Sequence, residues 1–529
     1  MKDFPSITLD NFVGMDTTDN KLSLQSNQLS KCLNMLYSAT GGIYKRTGGA
    51  KLSDPPSAGV IYGVGNYKNN NASEYLVCAQ GTDLYYYSSG WNALSLTLTT
   101  SQTTRFESAG YSTNRALYAV NGSDSIVKIY MSGINVVATQ ITIANGFTYD
   151  SPTTGTCIKL HKNRLFVANK DTLYFSDSLA FDTWPSANNI QIAPGIDGYI
   201  QNMEVWGDAL FIFKEYGVYV LPNAADANPT TAWKILKADA LTGTKSPDTV
   251  KRTKIGIVYL SSDNKIRYIS PNISFSSAEY TLGGSGSPVI SYSIERDLME
   301  IDDVNKTKAV AIEFNNLYIL SYQTVNNGGS YNDKTFFCDM DKFYQKFGVT
   351  QLQPYCGEFS NFDYNFFVKQ TISDKTTLYG VKGADGVTQE TLDGSTYADN
   401  GIAINGYGIL GWSNLGDESY YKKMRQVFCT GKTENNIVTL KFDGYKLSAD
   451  IPDDGSGTQK NFQSSTVSTA IVGTGIVGTS VIGTIGITAN KYRLGLKGHY
   501  FKIEFSNNVL DQYFSIDKFI IYFMSIKRS

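Results

Sequence analysis

One pattern recurs along this chain and limits its fold more than any other feature. A stretch of alternating apolar residues is followed by a short polar turn and a second such stretch, often rich in Tyr. Seven copies occupy residues 75–87, 115–130, 163–175, 208–220, 256–268, 316–322 with its partner 334–338, and 365–379. Alternation with period two buries one face of a strand pair. The Gly, Asn and Asp residues at the turns supply the positive φ angles that tight hairpins need. The turn centres recur every ~40–60 residues, the spacing of repeats that each build one four-stranded blade. The spacing predicts an all-β chain with a β-propeller over residues 56–400. A string of unrelated hairpins in sandwich domains is the alternative reading.

The flanks read differently. Residues 1–55 open with a β-like stretch at 6–15. Leu29, Leu33 and Leu36 then stand at helical spacing and predict a short helix between about Gln25 and Tyr37, followed by a Gly-rich turn. Residues 401–529 carry four long strand patterns at 423–430, 437–442, 492–505 and 514–527. The two flanks are expected to join as an additional antiparallel β-domain. Within the second, residues 461–490 are free of charge, and their centre repeats every five residues, from Ile471-Val-Gly-Thr-Gly475 to Val481-Ile-Gly-Thr-Ile485. A period of five fits neither a strand nor a helix, so the segment reads as a Gly-kinked hairpin or loop. Its lack of charge suits contact with a neighbour or another subunit, with membrane or host-surface contact as the alternative.

Composition then removes whole classes of function. The chain has 529 residues with 46 basic and 48 acidic side chains, so no net field draws it to nucleic acid or anionic lipid. Tyr (36), Phe (27) and Gly (48) supply the strand and turn chemistry the hairpins require. Six cysteines are too few for a disulfide scaffold, and the closest pair, Cys338 and Cys356, lies 18 residues apart with no CxxC anywhere. Buried free thiols made in a reducing cytoplasm are expected. Residues 1–14 lack the apolar core of a signal peptide, and no run of 18 apolar residues predicts a membrane helix.

Chemistry-bearing motifs are scarce. His161 and His499 are the only histidines, so any histidine triad, acid–base pair or His-rich metal site must use one of them. Both sit in strand-like surroundings that suit structural histidines. Gly473–Gly478 matches GxGxxG, and the same segment has P-loop glycine spacing. It opens no helix, and Thr479 stands where the phosphate-binding Lys belongs. Gly283–Ser287 lacks the closing glycine of a nucleophile elbow, and Asp453-Asp454-Gly455 lacks the remaining ligands of a calcium loop. No residue is assigned a catalytic, cofactor-binding or metal-ligating role, and no cofactor is expected. Ser176–Trp184 resembles the Asp-box turn of sialidase-type propellers, though it departs at the central Gly and carries one extra residue. In that family the box is structural, which points to a propeller and not to an enzyme.

The opening fifty residues carry a family likeness. Gly14, Asn34, Gly42, Lys45, Arg46 and Gly48 fall where tail-nozzle proteins (tail tubular protein B type) of short-tailed bacteriophages place them, with Thr47 where Pro is common. Residues 200–270, including Gly243, Ser246 and Pro247 of a G-x-x-S-P segment, also resemble the propeller portion of such proteins. The resemblance implies a structural virion protein, synthesised in the host cytoplasm. It implies a homohexameric ring that continues the DNA ejection channel below the tail adaptor and anchors fibres or spikes. Double-stranded DNA would pass without sequence-specific binding, which agrees with the balanced charge. Under that reading the loop 461–490 lies at a subunit contact or channel constriction.

Two other functions remain open. A host-recognition adhesin would use Tyr-rich propeller faces to bind surface glycans. A capsular-polysaccharide hydrolase would need two facing carboxylates, which 48 acidic residues can always supply.

Overall fold

The computed structural model describes residues 4–526 except 58, 100–101, 112–113, 151, 153, 223–232, 240–241, 271–286, 330, 373, 384–385, 391–395, 417–419, 434–437, 446–457 and 463–487. The described residues are nearly all β, and six separate sheets are the blades of a β-propeller. The first four blades are antiparallel four-stranded sheets whose innermost strands are Ile61–Lys68, Arg105–Ala109, Cys157–His161 and Ile200–Trp206. The fifth holds three described strands beginning at Lys251–Thr253. The last begins at Phe366–Ile372 and takes its outer strand, Gly49–Ser53, from the N-terminal segment. The sequence pattern groups residues 1–55 with the terminal domain, but this strand belongs to the propeller, where it pairs with Val387–Glu390.

Between the fifth blade and the last lie four strands from Val310–Phe314 to Gln353–Phe359, which are the propeller end of a ten-stranded sheet. The strand Val310–Phe314 touches both Lys251–Thr253 and Phe366–Ile372, so seven innermost strands close the ring. Phe366–Ile372 in turn packs on Ile61–Lys68, and Ile61, Cys78, Val368 and Val381 form the buried seam where the last blade meets the first.

Six of the seven hairpins recognised in the sequence are the second and third strands of their sectors, and the seventh, 365–379, is the first and second strands of the last blade. The strands at second positions are the most apolar because they are flanked by strands within their sheets and covered by sheets on both faces. Phe211, Phe213 and Tyr259 are buried between the fourth and fifth blades, with Phe213 and Tyr259 edge-to-face at 5.0 Å. Each such ring contributes ~1.5–3 kcal/mol by burial.

The rest of the ten-stranded sheet belongs to the terminal domain. Gln353–Phe359 pairs in parallel with Gln28–Leu33, and the order continues through Gly406–Leu410, Tyr500–Asn507 and Val438–Tyr445 to Thr458–Phe462. A second sheet of seven strands is centred on the long pair Tyr421–Thr433 and Phe514–Ile526. Ser6–Leu9 and Ile43–Lys45 from the N-terminal segment pair with Phe514–Ile526. The terminal segments thus form one additional β-domain, and a single core cluster runs from Phe336 and Phe359 through Leu29 and Met35 to Phe505 and Phe519.

Two sequence expectations fail here. The helix near 25–37 is absent: Gln28–Leu33 and Met35–Tyr37 are strands in different sheets. Asn34 between them has φ +55°, which turns the chain from one sheet to the other. The Leu spacing was produced by a strand, a one-residue corner and a second strand, all with buried apolar faces. The stretch 492–505 likewise divides. Thr488–Arg493 lies on one sheet and Tyr500–Asn507 on the other.

Candidate functional site

The innermost strands run the same way around the ring, so their first residues converge at one mouth. A cavity of about 850 Å³ opens there, lined by residues from every sector, among them Tyr62, Thr103, Asn169, Tyr199, Lys308, Tyr331 and Asn365. Its walls mix tyrosine rings and amides with apolar Ile61, Ile200 and Phe366 and the cations Lys170 and Lys308, and a further pair of charges is locked together. Arg105 Nε and Nη2 donate to the two carboxylate oxygens of Asp248, each at 2.8 Å, and Nη1 donates to the Thr156 carbonyl at 2.8 Å. Burial favours the neutral form of both groups, but their mutual attraction outweighs it. The Asp248 carboxyl is held below its ordinary range and the Arg105 guanidinium above.

Two residues further along the strand that starts at Arg105, the axis is crossed again. Lys159 Nζ lies 3.0 Å from Glu204 Oε1 and 3.9 Å from Glu107 Oε2. Burial lowers the Lys159 ammonium pKa, yet the two carboxylates together raise it above the usual lysine value. Burial also pushes the Glu107 carboxyl up, against the pull of Lys159. Toward the far end, Lys369 Nζ meets Glu313 Oε2 at 2.9 Å. Ion pairs therefore stand at successive levels of the propeller axis and hold inner strands together. The Lys159, Glu107 and Glu204 side chains line a smaller cavity of about 180 Å³ on this axis. None of these residues stood out in the sequence, because each is one ordinary carboxylate or base among dozens until the ring brings them together.

The residues behind the family likeness converge on a second place, the joint between propeller and terminal domain. Arg46 is fully buried. Its Nη1 and Nη2 donate to Asp399 Oδ1 and Oδ2 at 2.9 and 2.6 Å, Nη2 also donates to the Ser360 carbonyl at 2.7 Å, and Nε donates to Asn34 Oδ1 at 2.9 Å. The guanidinium lies 5.4 and 5.5 Å from the ring centres of Phe359 and Phe362. Asn34 completes the net by donating from Nδ2 to Ser360 Oγ and the Asn405 carbonyl at 2.7 and 3.0 Å.

Lys45 points the other way and donates from Nζ to Asn507 Oδ1 at 3.1 Å and the Val509 carbonyl at 3.2 Å. Burial, reinforced by neighbouring Arg46, lowers it to about 8. Gly48 and Gly14 are positions of close approach. A Cβ on Gly48 would come against the Ala398 carbonyl, and one on Gly14 would lie 2.7 Å from Tyr355 Cα. Beside Arg46, Glu390 is buried; burial, resisted by Arg46, raises its carboxyl to about 7. Its Oε1 accepts from the Tyr364 hydroxyl, while Oε2 has no partner among the described residues.

The remaining sequence candidates are scattered. His161 is buried at the end of an innermost strand, and burial with Lys162 beside it lowers its pKa to about 4. His499 lies in the terminal domain with its ring edge-to-face on Tyr421 at 5.2 Å. The two histidines belong to different parts of the fold and form no common site.

Ser176–Trp184 is a tight turn. Asp177 N and Trp184 Nε1 donate to the Thr183 and Phe181 carbonyls, each at 2.9 Å, and Trp184 is wholly buried. Asp182 reaches the second blade, accepting from the Tyr118 hydroxyl at 2.7 Å and from Lys128. The G-x-x-S-P segment is the corner into the fifth blade. Ser246 Oγ donates to the Lys306 carbonyl at 2.8 Å, and Pro247 sits at the mouth, which places Asp248 on the axis. Ser287 donates its backbone N–H to Asp239 at 2.7 Å. Residues 283–286, Asp453-Asp454-Gly455, Gly473–Gly478, Thr479 and the pentapeptide repeats lie outside the described residues. Among the described residues no three His, Cys, Asp or Glu side chains are grouped to hold a metal, and no helix is long and apolar enough to cross a membrane.

No family model matches the chain, and no curated protein matches it in sequence. Among solved structures it is similar to the computationally designed Ika8 protein, at 9% identity and a TM-score of 0.34. The match covers 65% of this chain and 99% of that one. A likeness of that degree says nothing about activity.

Proposed function

We propose that this chain is a structural subunit of a short phage tail nozzle, assembling as a homohexameric ring below the tail adaptor. In this reading it lines the DNA ejection channel and anchors fibres or spikes. One observation supports this reading above the others. The residues behind the nozzle likeness, Asn34, Lys45, Arg46 and Gly48, are used together in the joint that ties the propeller to the terminal β-domain. A part that must keep its shape while DNA passes needs two bodies locked at a fixed angle, and a buried bidentate ion pair with every guanidinium nitrogen engaged does that.

Labelling of phage particles with an antibody against this chain tests the proposal. Label at the distal end of the tail stub, on the particle axis, is the expected result. Absence from every particle despite abundant protein in the lysate overturns it.

The propeller mouth favours one competing function. Tyrosine rings beside amides in an open 850 Å³ cavity suit a saccharide, as an adhesin would require. Label on peripheral fibres, together with saccharide-dependent binding on a glycan array, would establish that function instead.

A further inference from the structure

The strands Lys334–Tyr344 and Gln353–Phe359 pair antiparallel with Phe337 opposite Gly357, Cys338 opposite Cys356 and Asp339 opposite Tyr355. Directly opposed residues in such a ladder have Cα atoms ~4.5–5.5 Å apart, inside the ~4.4–6.8 Å range a disulfide spans. The two side chains point to the same buried face, and their sulfur atoms are 2.9 Å apart. That is within about 1 Å of a disulfide bond length (~2.05 Å). The other free cysteines stand differently. Cys32 is directed at the Met35 carbonyl at 3.5 Å, and Cys78, Cys157 and Cys429 are buried in separate strands.

We infer that Cys338 and Cys356 are a cross-strand thiol pair that closes to a disulfide under oxidising conditions. The bond would lie in the third and fourth strands of the sector that continues into the terminal domain. Cys356 is two residues from Glu358, which pairs with Leu33 of the N-terminal segment. The disulfide therefore staples the strand that pairs with the N-terminal segment to its neighbour in the same sheet. It would resist separation of these two strands, a role independent of the nozzle reading.

The step balances with a small-molecule disulfide as oxidant. The Cys356 thiolate attacks one sulfur of oxidised glutathione, and that S–S bond breaks to release one glutathione thiolate. Cys338, having lost its proton to solvent, attacks the Cys356 sulfur of the mixed disulfide and releases the second. The protein thiols give up two electrons and two protons, and oxidised glutathione becomes two glutathione molecules. Both thiols are buried, and the hydrogen bond with Cys356 together with burial holds the Cys338 thiol well above its usual range. Attack therefore waits on opening of the strand pair, and oxidation is faster during refolding than in the folded chain.

The full chain is refolded with oxidised glutathione at pH 8, alkylated in denaturant, digested and mapped by mass spectrometry. The expected product is a peptide pair linked through Cys338 and Cys356, two hydrogens lighter than the reduced pair, with the other four of the six cysteines alkylated. Cys32→Ala should leave the link intact, and Cys338→Ala should abolish it. Alkylation of both Cys338 and Cys356 in wild type, or a link from either to Cys32, overturns the inference. Because the wild-type map decides the matter, a variant that fails to fold does not obscure it.

Discussion

Arg46 and Asp399 stand 353 residues apart in the chain and meet in a two-bond fork, with neither side chain more than 7% exposed. The pair joins the corner after the first sheet crossing to the chain leaving the last blade, so it closes the molecule at the joint between its two bodies.

Removing one partner leaves a buried charge uncompensated, which costs ~3–5 kcal/mol. Asp399→Asn should lower the denaturation midpoint accordingly. Arg46→Lys should do nearly as much harm, because an ammonium cannot make the fork or reach Asn34 and Ser360 together. Urea denaturation followed by fluorescence measures both; a Lys variant as stable as wild type would show that charge alone suffices.

Glu390 sets an alkaline limit. Its folded carboxyl titrates at about 7, above its unfolded value, so the folded state holds a proton that the unfolded chain has lost between roughly pH 4.5 and 7. That stability is complete below the unfolded pKa and is lost as pH rises through 7. Glu390→Gln keeps an acceptor for Tyr364 without the charge. It should raise stability at pH 8 by ~2–3 kcal/mol and change little at pH 4, read from melting curves across pH.

His161 acts in the opposite sense. With its folded pKa lowered to about 4, the unfolded chain binds the extra proton between pH 4 and roughly 6.5, so stability falls as pH drops through that window. His161→Leu removes both the titration and the unpartnered Nε2. The variant should lose less stability than wild type between pH 6.5 and 4; parallel acid limbs would mean that another group governs this range.

Trp184 should anchor the second blade to the third. Its ring lies in one buried cluster with Tyr118, Ile126 and Leu165. Trp184→Ala should cost ~3–5 kcal/mol through the cavity it leaves. Limited proteolysis should then cut first near residues 176–188, with the terminal domain's fragments unchanged.

The repeated hairpins were legible because a strand covered on both faces needs apolar side chains wherever it lies in space. The edge strands were less so. Gly49–Ser53 has two exposed residues and a composition that suits a turn as well as a strand, and only pairing with Val387–Glu390 makes it part of a blade. Asn34 shows the opposite hazard. Leu29, Leu33 and Leu36 mimic a helical stripe because the corner at Asn34 changes which face is buried, and a period count cannot see a corner.

The sites were the least legible. Cys338 and Cys356 read as distant thiols when counted along the chain, yet strand register sets them face to face. Arg105 and Asp248 are 143 residues apart and meet because two inner strands begin at the same mouth. The β class, the hairpin repeat and the turn at Trp184 were legible from the chain alone, since each depends on neighbours within a few positions. How the ring closes, which strand completes the last blade, what the N-terminal polar residues bind, and which charges and thiols meet were settled by folding. Those outcomes depend on register and packing between segments hundreds of residues apart, where each residue's partner is set by geometry and not by spacing along the chain.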